Sequence, residues 1–456
     1  LRLPHPTWQC GILADMRIGL VSCEYPPQLG LGGVGTYTFR LAEALGQAGC
    51  DVRVLCGPTE THMAEIPLKN VTVRRQAAYY DPPWRVPGLR FFWWRAVAPF
   101  MERANRTAWH WIKWNLASGA ALQRIEDQTP LDVIEAPEHA ANGLLVGSMR
   151  RWPTVIRLHG PWDLFFGINA TKGMALNRAL TWMEHRSCRY ADVLTAPSRT
   201  MATFMHDRWR LREMPMAVPN FMNVPEEPAP LPAVDETPRI VCAGRLERFK
   251  GQDTLVKAFA RIAAKHPAAK LHLLGPDQWD HRYTFSQLVD RLVPDPTVRR
   301  RVILTGPVPL AVVQQALRGA AVAVICSSGF ESFSFSTLEA MAAARPIVAS
   351  RVGALPELLD NGRCGLTAAP GNVQQVADAL ETLLGDRSLC ERLSLAAHAR
   401  ARQCYDTKAA LPLFIRAYEE AQWRFRKRKR PSAAALPDHA YAMRQTSPHY
   451  RPAAGS

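Results

Sequence analysis

The sequence has no apolar run near the ~18 residues that a membrane-crossing helix needs. Its first 15 residues hold no apolar core of signal-peptide length ending in a small-residue cleavage site. Met16 directly precedes a strand pattern, so residues 1–15 are expected to form an extension outside the fold. The ten cysteines make no CxxC pair and lie mostly in apolar runs, as at Cys56, Cys242 and Cys326. That argues against a zinc site and a disulfide framework, and for the reduced thiols of a cytoplasmic protein. No Asp-x-Asp occurs. Acid is scarce relative to base, with 40 Asp/Glu against 56 Lys/Arg and a net charge of +16. Residues 423–456 hold eight Lys/Arg and one Asp, lack periodicity and read as a disordered basic tail. A basic chain suits anionic partners, but no nucleic-acid-binding motif is present and none is expected to bind.

Apolar content is ordinary at 47%, and 456 residues allow two or three cores. Met16–Cys23, a helical pattern over Thr36–Ala48 and Asp51–Cys56 make a βαβ unit, the start of a parallel doubly wound sheet. Asp132–Glu135, Thr154–Leu158 and Val193–Ala196 continue it. Pro225–Pro238 has linker composition. Arg239–Ala243, Lys270–Leu274, Val302–Thr305, Ala320–Cys326 and Pro346–Ala349 then read as a second parallel sheet. Ala409–Gln422 reads as a last helix. Ala77–Leu116 interleaves aromatic and basic residues. It is either a helical pair with an aromatic core or an acceptor or anionic membrane-surface element.

Four stretches carry chemistry. The loop after the first strand contains Gly30-Leu31-Gly32-Gly33-Val34-Gly35, a GxGxxG match. Its first glycine lies seven residues past the strand, and no acid follows the second strand. Both details count against a dinucleotide site. His159-Gly160 ends a strand, where parallel sheets place chemistry. Glu135 and Glu138 end the strand before it and border the same cleft. Arg245 and Lys250, five apart between a strand and a helix, can converge on a diphosphate. The segment Ser327–Ser350 holds Glu331 and Glu339 in a loop and a first helical turn. Ser336-Thr337-Leu338-Glu339 also reads as a capping box, so Glu339 has a purely structural alternative.

In order and spacing, these stretches and the Val218–Asn223 exit resemble glycosyltransferase family 4 over about Met16–Gln422. The resemblance implies a GT-B fold, two Rossmann-like parallel-sheet domains facing a cleft. The expected division is an acceptor-side domain at 16–224, a linker at 225–238, a nucleotide-sugar domain at 239–405 and a crossover helix at 406–422. It implies a retaining hexosyltransferase that takes a UDP- or GDP-sugar and a glycan or lipid-linked acceptor, with no cofactor and no metal. Arg245 and Lys250 would neutralise the leaving diphosphate. Glu331 would face the hexose, and Glu339 the ribose. His159 would lie near the anomeric carbon. Phe333, Ser334, Phe335 and Leu338 would border the donor; Gly32 and Gly33 would lie over the diphosphate, and Glu138 would touch the acceptor. Phe335, Ser334 and Arg345 depart from the usual family pattern, which bears on the donor more than on the fold. A sugar-nucleotide epimerase of the same fold and a dehydrogenase are the alternatives.

Overall fold

A computed structural model describes residues 16–26, 32–57, 67–75, 110–166, 174–233, 237–280 and 282–429. Near-continuous apolar runs become strands buried on both faces, as parallel sheets require. The first sheet has seven parallel strands: β1 (Arg17–Ser22), β2 (Asp51–Cys56), β3 (Val71–Arg75), β4 (Val133–Pro137), β5 (Thr154–Arg157), β6 (Val193–Ala196) and β7 (Met216–Ala217). Their spatial order is β3-β2-β1-β4-β5-β6-β7. The order reverses at β1, so the carboxyl ends of β1 and β4 diverge and leave a crevice.

The second sheet has six parallel strands: β8 (Arg239–Ala243), β9 (Lys270–Leu274), β10 (Val302–Gly306), β11 (Val322–Ile325), β12 (Ile347–Ser350) and β13 (Leu366–Ala368). Their order is β10-β9-β8-β11-β12-β13, with the same reversal at β8. The short strands β3, β7 and β13 fall outside the expected set. β7 and β13 have only two and three residues, and the five of β3 include no fully buried one, so their patterns are too faint to read from sequence.

The last helix, Thr407–Lys429, packs against the first sheet and runs seven residues past the expected end at Gln422. Ala410, Phe414, Ile415, Ala417, Tyr418 and Ala421 enter that domain's core. The Tyr418 hydroxyl donates to Glu135 Oε2 at 2.9 Å, and the Tyr37 hydroxyl donates to Glu135 Oε1. Beside them the buried Arg157 lies 4.7 Å from the Tyr37 ring centre and donates to Asn220 Oδ1 at 2.6 Å. Burial raises the Glu135 carboxyl, and Arg157 counters it. Glu135 therefore serves as an internal tie between helix and sheet, and the expectation that it borders the cleft is corrected.

Arg345 is fully buried. Its guanidinium donates to the carbonyls of Ala229 and Pro230 at 2.6 and 2.7 Å, and to those of Arg318 and Ala343. It straps residues 229 and 230 to the second domain and lines neither cavity described below, so its departure from the family pattern lies away from both. Of the aromatic segment, residues 76–109 lie outside the described residues. Trp114 is core, donating from its indole to Asn142 Oδ1 at 2.5 Å. Among the described residues no helix is long and apolar enough to cross a membrane.

Candidate active site

Two adjoining cavities occupy the cleft between the sheets. One, of about 460 Å³, is lined by Gly32, Gly33, His159, Arg245, Lys250 and Glu331, with Phe333, Ser334 and Phe335. The other, of about 800 Å³, is lined by Glu339, Arg40 and the loops after β9 and β10. Gly244, Arg245, Thr36 and Ser336 border both.

On the first domain's side, the helix Gly33–Gln47 points its N-terminus at the smaller cavity and starts three residues earlier than its apolar pattern suggests. Glu24 explains the early start. Its Oε2 accepts from the amides of Gly32 and Gly35 at 3.1 and 3.2 Å, satisfying helix-start donors that sequence periodicity does not reveal. Gly33 and Val34 border the cavity with the first amides of the helix.

Glu138 does not face an acceptor. It is fully buried. Its Oε2 accepts from the amides of His139 and His159 at 3.0 and 2.7 Å, and its Oε1 from Gly160 at 2.5 Å. Burial pushes its carboxyl up to about 7, against the pull of the His159, Gly160 and His139 amides. This carboxylate holds the turn that carries His159, so its expected role as a contact residue is corrected to a positioning one. His159 stacks edge-on against Tyr37, ring centres 4.9 Å apart. Burial, with Arg157 and His139 adding to it, holds its pKa well below the ordinary value, so the imidazole is neutral. Its Nε2 is buried and has no hydrogen-bond partner among the described residues.

On the second domain's side, Lys250 Nζ meets Glu331 Oε1 at 2.6 Å, and the Ser327 hydroxyl donates to the same oxygen at 2.5 Å. Arg245 pairs with Glu247 at 3.1 Å. Its loop depends on Gly275, at φ +143°, where an added Cβ would lie 2.1 Å from the Gly244 carbonyl oxygen. Arg248 turns outward to Asp280 at 2.6 Å and lines neither cavity.

Glu331 is placed by the turn-rich loop after β12, residues 352–358. Its carbonyl accepts from the Ala354 amide at 2.7 Å. A Cβ on Gly353, at φ +51°, would lie 2.1 Å from that carbonyl oxygen. Gly353→Val is therefore expected to displace Glu331 and reduce turnover at least tenfold, while a Gly385→Ala control, where nothing lies within 4 Å of the added Cβ and φ is not positive, keeps it. Steady-state assays of both variants check this.

The helix Phe335–Ala342 is capped by Ser334, whose hydroxyl accepts from the Thr337 amide at 3.2 Å. The capping box at Ser336–Glu339 does not form, because the helix begins one residue before Ser336 and leaves Glu339 in its second turn. Glu339 instead meets Arg40 at 2.9 Å. Leu338 points into the core and lines neither cavity. Arg40 is a site residue that the sequence does not signal, since its contact crosses 299 positions. The domains also touch where Glu357 accepts from the amides of Arg199 and Thr200, both at 2.9 Å, and where Ser198 donates to the Ser332 carbonyl at 2.8 Å.

Two family models match the chain in tandem: "Glycosyltransferase Family 4" over residues 31–224 and "Glycosyl transferases group 1" over 237–386. The chain belongs to glycosyltransferase family 4. This glycosyltransferase is 27% identical over 432 residues to a glycogen synthase of Mycobacterium tuberculosis, covering 89% of this chain and 95% of that one. Sucrose-phosphate synthase from Thermosynechococcus elongatus shares its fold at a TM-score of 0.69 and 20% identity, over 89% of this chain and 98% of that one. Anabaena HepE, solved with UDP and glucose, shares it at 0.65 and 17%, over 89% and 99%. The family 4 transferase thus has the two-domain GT-B architecture, and the dehydrogenase reading falls away.

Proposed function

We propose that this glycosyltransferase moves a hexosyl group from a UDP- or GDP-sugar to a glycan or lipid-linked acceptor, with retention and without a metal ion. The observation that carries this reading is convergence. Arg245, Lys250 and two helix N-termini from opposite domains border one cavity of about 460 Å³, where Glu24, Glu247 and Glu331 are their carboxylate partners, so the donors that a diphosphate needs converge on a single space.

In this reading the diphosphate lies between Arg245, Lys250 and the helix starts at Gly33 and Phe335. As the bond between the sugar's anomeric carbon and the phosphate oxygen breaks, charge builds on the diphosphate, and the two cations stabilise it. Lys250 contacts Glu331, so a hexose hydroxyl on Glu331 sits next to the group that holds the phosphate. Glu339 takes the ribose hydroxyls in the larger cavity. Neutral His159 accepts from or donates to a sugar hydroxyl through its unpartnered Nε2. The acceptor hydroxyl attacks from the face the diphosphate leaves. Glycogen synthase in name and UDP with glucose in HepE are the similarities that favour a UDP-hexose and a glycan acceptor. Cell-surface polysaccharide or glycolipid synthesis at the cytoplasmic membrane face is the wider setting proposed.

The test is thermal stability with a panel of UDP-, GDP- and ADP-sugars, with and without EDTA. One nucleotide class is expected to raise the midpoint equally under both conditions. A strict need for a divalent ion would sink the metal-free reading, and no shift from any nucleotide sugar would sink the donor assignment.

A further inference from the structure

Arg40 sits in the middle of the helix Gly33–Gln47, on the domain opposite the one that carries Glu339. Its Nη2 donates to Glu339 Oε1 at 2.9 Å, and its guanidinium carbon lies 4.6 Å from the centre of the Phe335 ring. Both side chains line the larger cavity. The pair is nearly closed to solvent, with side-chain exposures of 12% and 9%. A guanidinium that stacks on a ring and bonds to a carboxylate has its plane fixed by two contacts. The carboxylate, in turn, has about four acceptor positions on its two oxygens. Arg40 occupies one of them and leaves the rest for a ligand. Its Nη1 is buried with no hydrogen-bond partner among the described residues, a further donor on the wall of the same cavity.

We propose that Arg40 is a positioning residue of the donor subsite: from the acceptor-side domain it fixes Glu339 toward the donor ribose, so the subsite is complete only when the two domains close. This rests on the reading of Glu339 as the ribose ligand. The chemistry recognised is a vicinal diol, which donates two hydrogen bonds to a held carboxylate. Because the arginine and the glutamate sit on helices of different domains, donor binding and closure of the cleft favour each other. Burial raises the Glu339 carboxyl above its ordinary value, and the facing Arg40 opposes part of that rise. The other charged groups on this cavity are Glu43, one helical turn from Arg40, and Arg245 across the floor.

The test measures binding of UDP, GDP and inorganic pyrophosphate by calorimetry to wild type, Arg40→Ala, Arg40→Lys, Glu339→Gln and the Arg40→Ala/Glu339→Gln double variant. Arg40→Ala is expected to weaken the preferred nucleotide about tenfold, the order of one charge-assisted hydrogen bond. Pyrophosphate, which has no ribose, is expected to bind as before. Arg40→Lys is expected to recover part of the loss, and the double variant to bind no worse than Glu339→Gln alone. Tighter or unchanged nucleotide binding by Arg40→Ala overturns the proposal, since Arg40 would then compete with the ligand or ignore it. Equal weakening of pyrophosphate also overturns it, because the effect would not pass through the ribose. If Glu339→Gln leaves nucleotide binding unchanged, the ribose assignment itself fails. If Arg40→Ala lowers the thermal midpoint, the Arg40→Lys values decide.

Discussion

Arg245→Ala and Lys250→Ala are each expected to lower turnover by about 10²–10³-fold, the order lost when one main charge-stabilising group is removed from a site. Both belong to loops after β8, and both carboxylate partners differ: Glu247 for Arg245, Glu331 for Lys250. The two variants should therefore diverge in a second respect. Removing Lys250 leaves the buried Glu331 without its cation, so Lys250→Ala should also disturb hexose binding and raise the donor KM. Removing Arg245 leaves the half-buried Glu247 able to turn to water, so its loss should fall on kcat. The unfolding midpoint should change little in Arg245→Ala. Steady-state kinetics with the donor found in the panel separate the two. Near-wild-type turnover in either variant would remove that residue from the mechanism.

The second large effect is expected at Glu138. Glu138→Ala leaves three buried amides, of His139, His159 and Gly160, without an acceptor. At roughly 1–3 kcal/mol for each orphaned group, the fold should lose about 3–9 kcal/mol, and the turn that carries His159 should loosen, with turnover falling alongside. Glu138→Gln should cost less. Its carbonyl can take the two amides that share Oε2, while its NH₂ faces the Gly160 amide. The wild-type carboxyl also has a pH signature. Its folded value of about 7 lies above the ordinary 4.5, so the folded protein holds this proton more tightly than the unfolded chain. The stability this contributes is fully present below about pH 4.5 and is lost as pH rises through about 7. Urea unfolding across that range should show a steeper slope in wild type than in Glu138→Gln, where the other buried carboxyls with raised values, such as Glu135 and Glu184, still contribute theirs. Unchanged stability in Glu138→Ala would show that other groups hold the turn.

Much of the site's membership was legible because parallel sheets concentrate chemistry at strand ends. Gly32, Gly33, His159, Arg245, Lys250, Glu331, Phe333, Ser334 and Phe335 all border one cavity. Each follows a strand or starts a helix, and those positions can be read from local pattern. The failures share a cause as well. Glu138 sits at a strand end and is polar, which is what a cleft residue looks like in sequence. Only the fold shows three amides closing around it. Leu338 was counted with its neighbours along the chain, but helical geometry turns its side chain to the core. Ser334 captured the helix start from Ser336 because its extended backbone lets its hydroxyl reach the Thr337 amide.

The sequence by itself determined the two parallel sheets, the helices between them and the family. These depend on apolar period, strand-end glycines and short motifs, which are local and survive without coordinates. Tertiary structure alone decided what the charges do. Glu135 became an internal tie through Tyr37 and Tyr418, the latter 283 positions away. Arg345 became a strap from the second domain to the carbonyls of Ala229 and Pro230, and Glu339 meets Arg40 on the opposite domain in place of the capping box that was its structural alternative. A buried charge takes whichever partner the fold brings within about 3 Å, and separation along the chain does not predict that partner.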